Sequence, residues 1–242
     1  MFKRVLFTAL CLLSAATLAV AHDAWIEKRD GELVVLYGHR ERHDPYDPQK
    51  IKDPKAYDPK GVAVPVDIVK HKENATLALK GNAAIVSVFF DNGYWVKTTD
   101  TTNVWKNLPK REAQKQFTVL DSSKVQKYAK TILASCEAST KPIGLPFEIV
   151  PEKDPLTVKP GDILPLKVLL DGKPLEGVVI KTGDSSHSES KQEIKTDKDG
   201  KASVPISKPG PQSINVFQKL SLKNDPDADG LSNSASLTFE IK

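Results

Sequence analysis

The stretch His22-Asp-Ala-Trp-Ile-Glu-Lys-Arg-Asp-Gly-Glu-Leu-Val-Val-Leu-Tyr-Gly-His39 reads as a β-hairpin. Residues 24–28 and 32–37 have strand character, and a turn at residues 29–31 lets them pair antiparallel. Similar short runs follow at 62–69, 75–79, 83–90, 94–98 and 147–150. Pro, Gly, Asn and Asp break them at the spacing of antiparallel sandwiches. One segment departs from this pattern. Val125, Tyr128, Ala129, Ile132 and Leu133 fall at helical spacing behind Ser122, a good N-cap, so an amphipathic helix is predicted over 122–135. The expected fold is all-β with one short helix.

Residues 137–146 read as a linker between two β-sandwich domains, 22–140 and 147–242. The second has the rhythm of an immunoglobulin-like sandwich, with turns at Lys159-Pro-Gly161, Asp171-Gly172, Thr196-Asp-Lys-Asp-Gly200 and Lys208-Pro-Gly210. Four Asp-Pro pairs between His43 and Gly61 predict an irregular surface loop there, because proline forces its predecessor into extended geometry.

Ahead of the hairpin, Lys3 and Arg4 precede an apolar stretch, and Ala19-Val20-Ala21 is a signal-peptidase pattern. Residues 1–21 are read as a cleaved signal peptide, which makes His22 the new N-terminus. Beyond it no apolar run approaches the roughly 18 residues that span a bilayer. The chain of 242 residues carries 35 basic and 31 acidic side chains, spread evenly, which argues against nucleic acid. Of its two cysteines, Cys11 leaves with the signal and Cys136 stays alone, so stability must come from packing.

Three of the five histidines, His22, His39 and His43, lie close behind the cleavage point. A processed His22 offers an imidazole and an α-amine to one cation, the arrangement called a histidine brace. Both must be deprotonated, so affinity should rise between about pH 5 and 8. The hairpin pairing would bring His39 beside His22, with His43, Asp23 and Asp44 near. Such a nitrogen-rich set suits nickel, cobalt, copper or zinc over magnesium or calcium. His71 between two lysines is read as a surface residue, and His187 in a Ser/Gly-rich run as a solvated hairpin tip, with a contribution to the site from the second domain as its alternative.

Asp225, Asp227, Asp229 and Gly230 match half of a calcium loop, but Ser236 stands where the bidentate Glu belongs, so an acidic turn is expected in place of a calcium site. Signatures of enzymes (G-x-S-x-G, H-E-x-x-H, P-loop, G-x-G-x-x-G) are missing, and the chain is read as a non-enzyme. Trp25, Tyr94, Trp95 and Trp105 support a rival reading as an adhesion or carbohydrate-binding module. A copper-dependent oxidase using the brace ranks below both.

Ala21-His-Asp-Ala-Trp-Ile26, Tyr37-Gly-His39, Lys127-Tyr-Ala-Lys130, Gly144-Leu-Pro-Phe-Glu-Ile-Val-Pro151, Asp171-Gly-Lys-Pro-Leu-Glu-Gly177 and Thr196-Asp-Lys-Asp-Gly200 together resemble an exported bacterial family. It is labelled nickel uptake substrate-specific (transmembrane region), or periplasmic nickel- and cobalt-binding component. The resemblance implies a second, carboxypeptidase-regulatory-like sandwich and periplasmic capture of nickel or cobalt for an inner-membrane importer. His22 and His39 are the positions onto which the family's motifs fall. Where many members carry a later His, this chain has Val216-Phe-Gln-Lys219, and after residue 21 nothing fits the transmembrane label. Copper is the alternative cargo, since nitrogen sites bind it more tightly than nickel or cobalt.

Overall fold

The computed structural model describes residues 22–40, 42–183 and 193–242. The expected signal peptide at 1–21 and His187 lie outside them. The first part of the chain forms β1 (Asp23–Arg29), β2 (Glu32–His39), β3 (Arg42–His43), β4 (Ile51–Tyr57), β5 (Ala63–Val64), β6 (Val66–Lys70), β7 (Ala75–Leu79), β8 (Ile85–Thr98), β9 (Trp105–Lys106) and β10 (Val119–Ile132). A one-turn helix α1 (Lys110–Ala113) precedes β10. The remainder forms β11 (Phe147–Pro151), β12 (Ile163–Leu170), β13 (Lys173–Pro174), β14 (Val179–Thr182), β15 (Ile194–Lys195), β16 (Lys201–Pro205), β17 (Gly210–Ser221) and β18 (Gly230–Ile241). The fold is mostly β, with three sheets among the described residues in a sandwich-like arrangement.

One sheet holds β1, β2, β7 and β6 with β3 at its side. The largest runs β15-β14-β17-β18-β10-β8-β4-β5, and the third joins β11, β12, β13 and β16. The large sheet draws on both halves of the chain, because β18 lies parallel to β10 with Tyr128 opposite Ala235. It serves two cores, one on each face. Phe90, Val88, Val86 and Ala129 pack with Ile26, Val35 and Leu77 under the first sheet. Phe89, Tyr128 and Ile132 pack with Leu166, Leu237 and Phe147 under the third.

The predicted helix over 122–135 is a strand, β10, at the middle of this sheet. Its two faces enter two different cores, so the apolar/polar alternation that marks a half-exposed strand is erased, and the apolar residues left over happen to fall at helical intervals. The pattern hid two buried lysines as well: Lys127 is 3% and Lys130 2% exposed, on opposite faces. Lys130 is paired with Glu148 at 2.7 Å. The Asp-Pro segment is also more regular than expected. Asp47 caps a short 3-10 turn at Pro48–Lys50, and β4 then pairs with β8 across a register shift that absorbs Asp53-Pro54. The two runs at 83–90 and 94–98 are one strand, β8, whose register shifts by Gly93.

Sheet one meets the large sheet along an edge. The hydroxyl of Ser236 donates to the Ala24 carbonyl at 2.7 Å, that of Thr238 to the Ile26 carbonyl at 2.8 Å, and Lys127 Nζ to the His22 carbonyl at 2.5 Å. Three alternate carbonyls, two of β1 and that of His22 just before it, point away from β2 and are satisfied by side chains instead of a further strand. An edge that would otherwise leave buried acceptors without partners is thereby closed.

Candidate metal centre at the start of the first strand

The hairpin register sets the site. Asp23 faces Gly38 and Ala24 faces Tyr37, with Asp30 and Gly31 at positive φ in the turn. Since side chains alternate between faces, Ala24 and Tyr37 share the inner face with His22 and His39, while Asp23 shares the outer face with Trp25. The rings of His22 and His39 lie 4.8 Å apart, and the His22 ring stacks on Tyr37 at 5.1 Å. The expected meeting of these two histidines is what the hairpin produces.

Gly38 supplies the next step. At φ +125 it folds the chain back so that β3 pairs with the end of β2 and the Asp44 amide donates to the Tyr37 carbonyl at 2.8 Å. A Cβ on Gly38 would sit 2.8 Å from the Arg42 carbonyl oxygen and 3.0 Å from the Asp44 nitrogen, so no side chain fits. The fold-back lands Asp44 on the inner face, its Oδ2 2.9 Å from His22 Nε2. Arg42 Nε lies 3.4 Å from the other oxygen, Oδ1.

His43 takes the opposite face. It pairs with Gly38 in register with Asp23, and its ring meets the edge of Trp25 at 6.3 Å. Its Nε2 is 2.8 Å from Arg29 Nη1. A guanidinium only donates, so this nitrogen accepts and its lone pair is used. Trp25 Nε1 and Arg29 Nε both donate to Glu27, at 3.1 and 2.9 Å, completing a polar ladder on the outer face. Of the four residues expected at a metal site, the structure brings His22 and His39 together and places Asp23 and His43 on the far side of the strands. Among the described residues no three of His, Cys, Asp and Glu gather as a metal cluster. Asp44, Tyr37 and Lys127 complete the surroundings of His22; period-two counting from His22 and Tyr37 through the Gly38 turn is the signal that points to Asp44.

Electrostatics favour a neutral His22. Burial lowers its pKa, the neighbouring His39 and Lys127 lower it further, and Asp44 only partly offsets this. A neutral ring beside a carboxylate donates from Nε2, leaving the Nδ1 lone pair open. Nδ1 is the ring nitrogen nearest the backbone, the one that closes a chelate with the residue's own α-nitrogen. Asp44 thereby fixes the tautomer and orientation of the His22 ring, as a hydrogen-bonding carboxylate does for metal-ligating histidines in general. While residues precede His22, its α-nitrogen is an amide with no lone pair to give. Burial raises the Asp23 carboxyl against the pull of Lys127, Lys181, His39 and Arg40. Lys127 is itself pushed down to about 8 by burial, with Asp23 working the other way.

The other candidates are engaged elsewhere. Asp229 is held by Lys110 at 2.5 Å and by Ser122 at 2.6 Å, and Asp227 lies 2.9 Å from Arg111. His71 Nε2 lies 3.0 Å from Thr76 Oγ1. Trp25 is buried, Trp95 donates its indole N–H to the Asn92 carbonyl, and Trp105 is 42% exposed. No helix among the described residues is long and apolar enough to cross a membrane.

A family model, described as a domain of unknown function, matches residues 19–219 and so spans the histidine corner and most of both halves. No curated protein matches the chain, and no solved structure does. The chain belongs to that family, DUF4198.

Proposed function

We propose that the protein captures a divalent transition-metal cation, nickel or cobalt, through a brace formed by His22 after cleavage behind Ala21, and passes it to an importer in the inner membrane. The observation that carries this reading is the pairing of His22 Nε2 with Asp44 at 2.9 Å beside His39. It leaves Nδ1 free for chelation with the new amine, and His39 within reach as a further nitrogen donor. The ion is cargo, and with few donors its coordination shell stays open for exchange on delivery. The choice of nickel or cobalt rests on the family resemblance of the sequence motifs; the donor set alone accepts copper as well.

The test is native mass spectrometry of protein exported and processed in a bacterium, with Ni²⁺, Co²⁺, Cu²⁺ and Zn²⁺ in competition. A mass beginning at His22 with one retained nickel or cobalt ion is the expected result. Preferential copper retention would turn the reading to copper handling. A correctly cut chain that holds no ion would overturn it.

A further inference from the structure

The edge of β1 raises a question of choice. At Ala24 and Ile26 a neutral hydroxyl suffices to satisfy the carbonyl, whereas at His22 the chain uses a lysine that is 3% exposed. Among the described residues no carboxylate lies within salt-bridge distance of Lys127 Nζ. Its acceptors are the His22 carbonyl at 2.5 Å and Ser234 Oγ at 3.5 Å, with the Tyr37 ring 5.9 Å away. Burying an ammonium with such thin compensation is costly, and a hydrogen bond from a charged donor is about twice as strong as a neutral one.

We infer that Lys127 is the positioning residue of the His22 site: its ammonium pins the carbonyl and peptide plane of residue 22, while Asp44 and Tyr37 fix the ring. Held at both ends, His22 has its amine and Nδ1 directed at one point before an ion arrives. The inference rests on the metal-binding reading of that site. It also assigns Lys127 an effect opposite in sign to its charge. A cation near a cation site weakens binding by repulsion, so any help it gives must be geometric.

The experiment compares three processed proteins, wild type, Lys127→Met and Ser236→Ala, by Ni²⁺ titration calorimetry and thermal unfolding. Lys127→Met should bind Ni²⁺ about tenfold more weakly, while its unfolding midpoint falls no further than that of Ser236→Ala, because the carbonyl left without a donor is offset by removal of a buried charge. Ser236→Ala should unfold at lower temperature and keep its affinity. Unchanged or tighter Ni²⁺ binding by Lys127→Met, as loss of repulsion alone would give, overturns the inference, and so does a fall in affinity that follows stability in both variants. Should Lys127→Met not fold, Lys127→Gln, polar but too short for the carbonyl, makes the same comparison. A wild type that binds no ion overturns the metal reading together with this one, whereas a binding wild type with an indifferent Lys127→Met overturns this one alone.

Discussion

Ser236 and Ala24 stand 212 positions apart in sequence, and the hydroxyl of one donates to the carbonyl of the other at 2.7 Å. The last strand of the chain thus holds the first by its open edge, and it does so in register with Thr238 and Ile26. The histidine corner sits at the free end of the strand so held.

Replacing both hydroxyls, Ser236→Ala with Thr238→Val, leaves two buried carbonyls without partners. Each loss costs about 1–2 kcal/mol. The double variant should unfold at lower denaturant, and amide hydrogen exchange in β1 should accelerate more than in β10.

Gly38→Ala places a Cβ 2.8 Å from the Arg42 carbonyl oxygen at a φ that alanine avoids. The fold-back must open, at roughly 1–3 kcal/mol, and Asp44 moves from His22. Nuclear magnetic resonance titration of the His22 ring should then show a lower pKa than in the wild type, because Asp44 is the group that raises it. An unchanged His22 titration would refute the role given to Asp44.

His22 carries a pKa below its ordinary value in the folded state. The unfolded chain therefore binds a proton that the folded one refuses, and stability rises with pH across the interval between the two values. This contribution is complete above about pH 6.5 and is lost as pH falls toward the folded-state pKa. Denaturant melts from pH 5 to 7.5 should show a shallower slope for His22→Gln than for the wild type.

Lys130 and Glu148 form a buried pair, 2% and 1% exposed, and the Glu148 carboxylate also accepts the backbone N–H groups of Ile143, Gly144 and Leu145. Glu148→Ala strands a buried ammonium and frees the loop, and should cost about 3–5 kcal/mol. Lys130→Met should cost less, since the carboxylate keeps three amide donors. Urea melts of the two variants decide the order.

One residue inserted ahead of His22 in the processed protein turns its amine into an amide. Ni²⁺ affinity should fall by about tenfold or more, while His71→Ala leaves it unchanged. Equal effects of the two changes in calorimetry would remove the brace from the site.

Local pattern sufficed for part of this molecule. The hairpin from residue 24 to 37 is written in its alternation and its turn, and with it the meeting of His22 and His39, because pairing across a tight turn is set by neighbours a few residues away. The same alternation separates Asp23 and His43 from them, a consequence of period two that a list of nearby metal-binding residue types overlooks. The second half of β10, residues 127–132, shows where local pattern ends: a stretch buried on both faces carries no polar side to betray its period, and its lysines look like the solvent face of a helix until partners from elsewhere in the chain receive them. Sequence determined the β class, the first hairpin and the histidine pair. Tertiary structure decided that both halves share one sheet, that Asp44 reaches His22, and that Lys127, Ser236 and Thr238 close the edge of β1, since a buried carbonyl must find a donor and which donor arrives depends on strands far away in the chain.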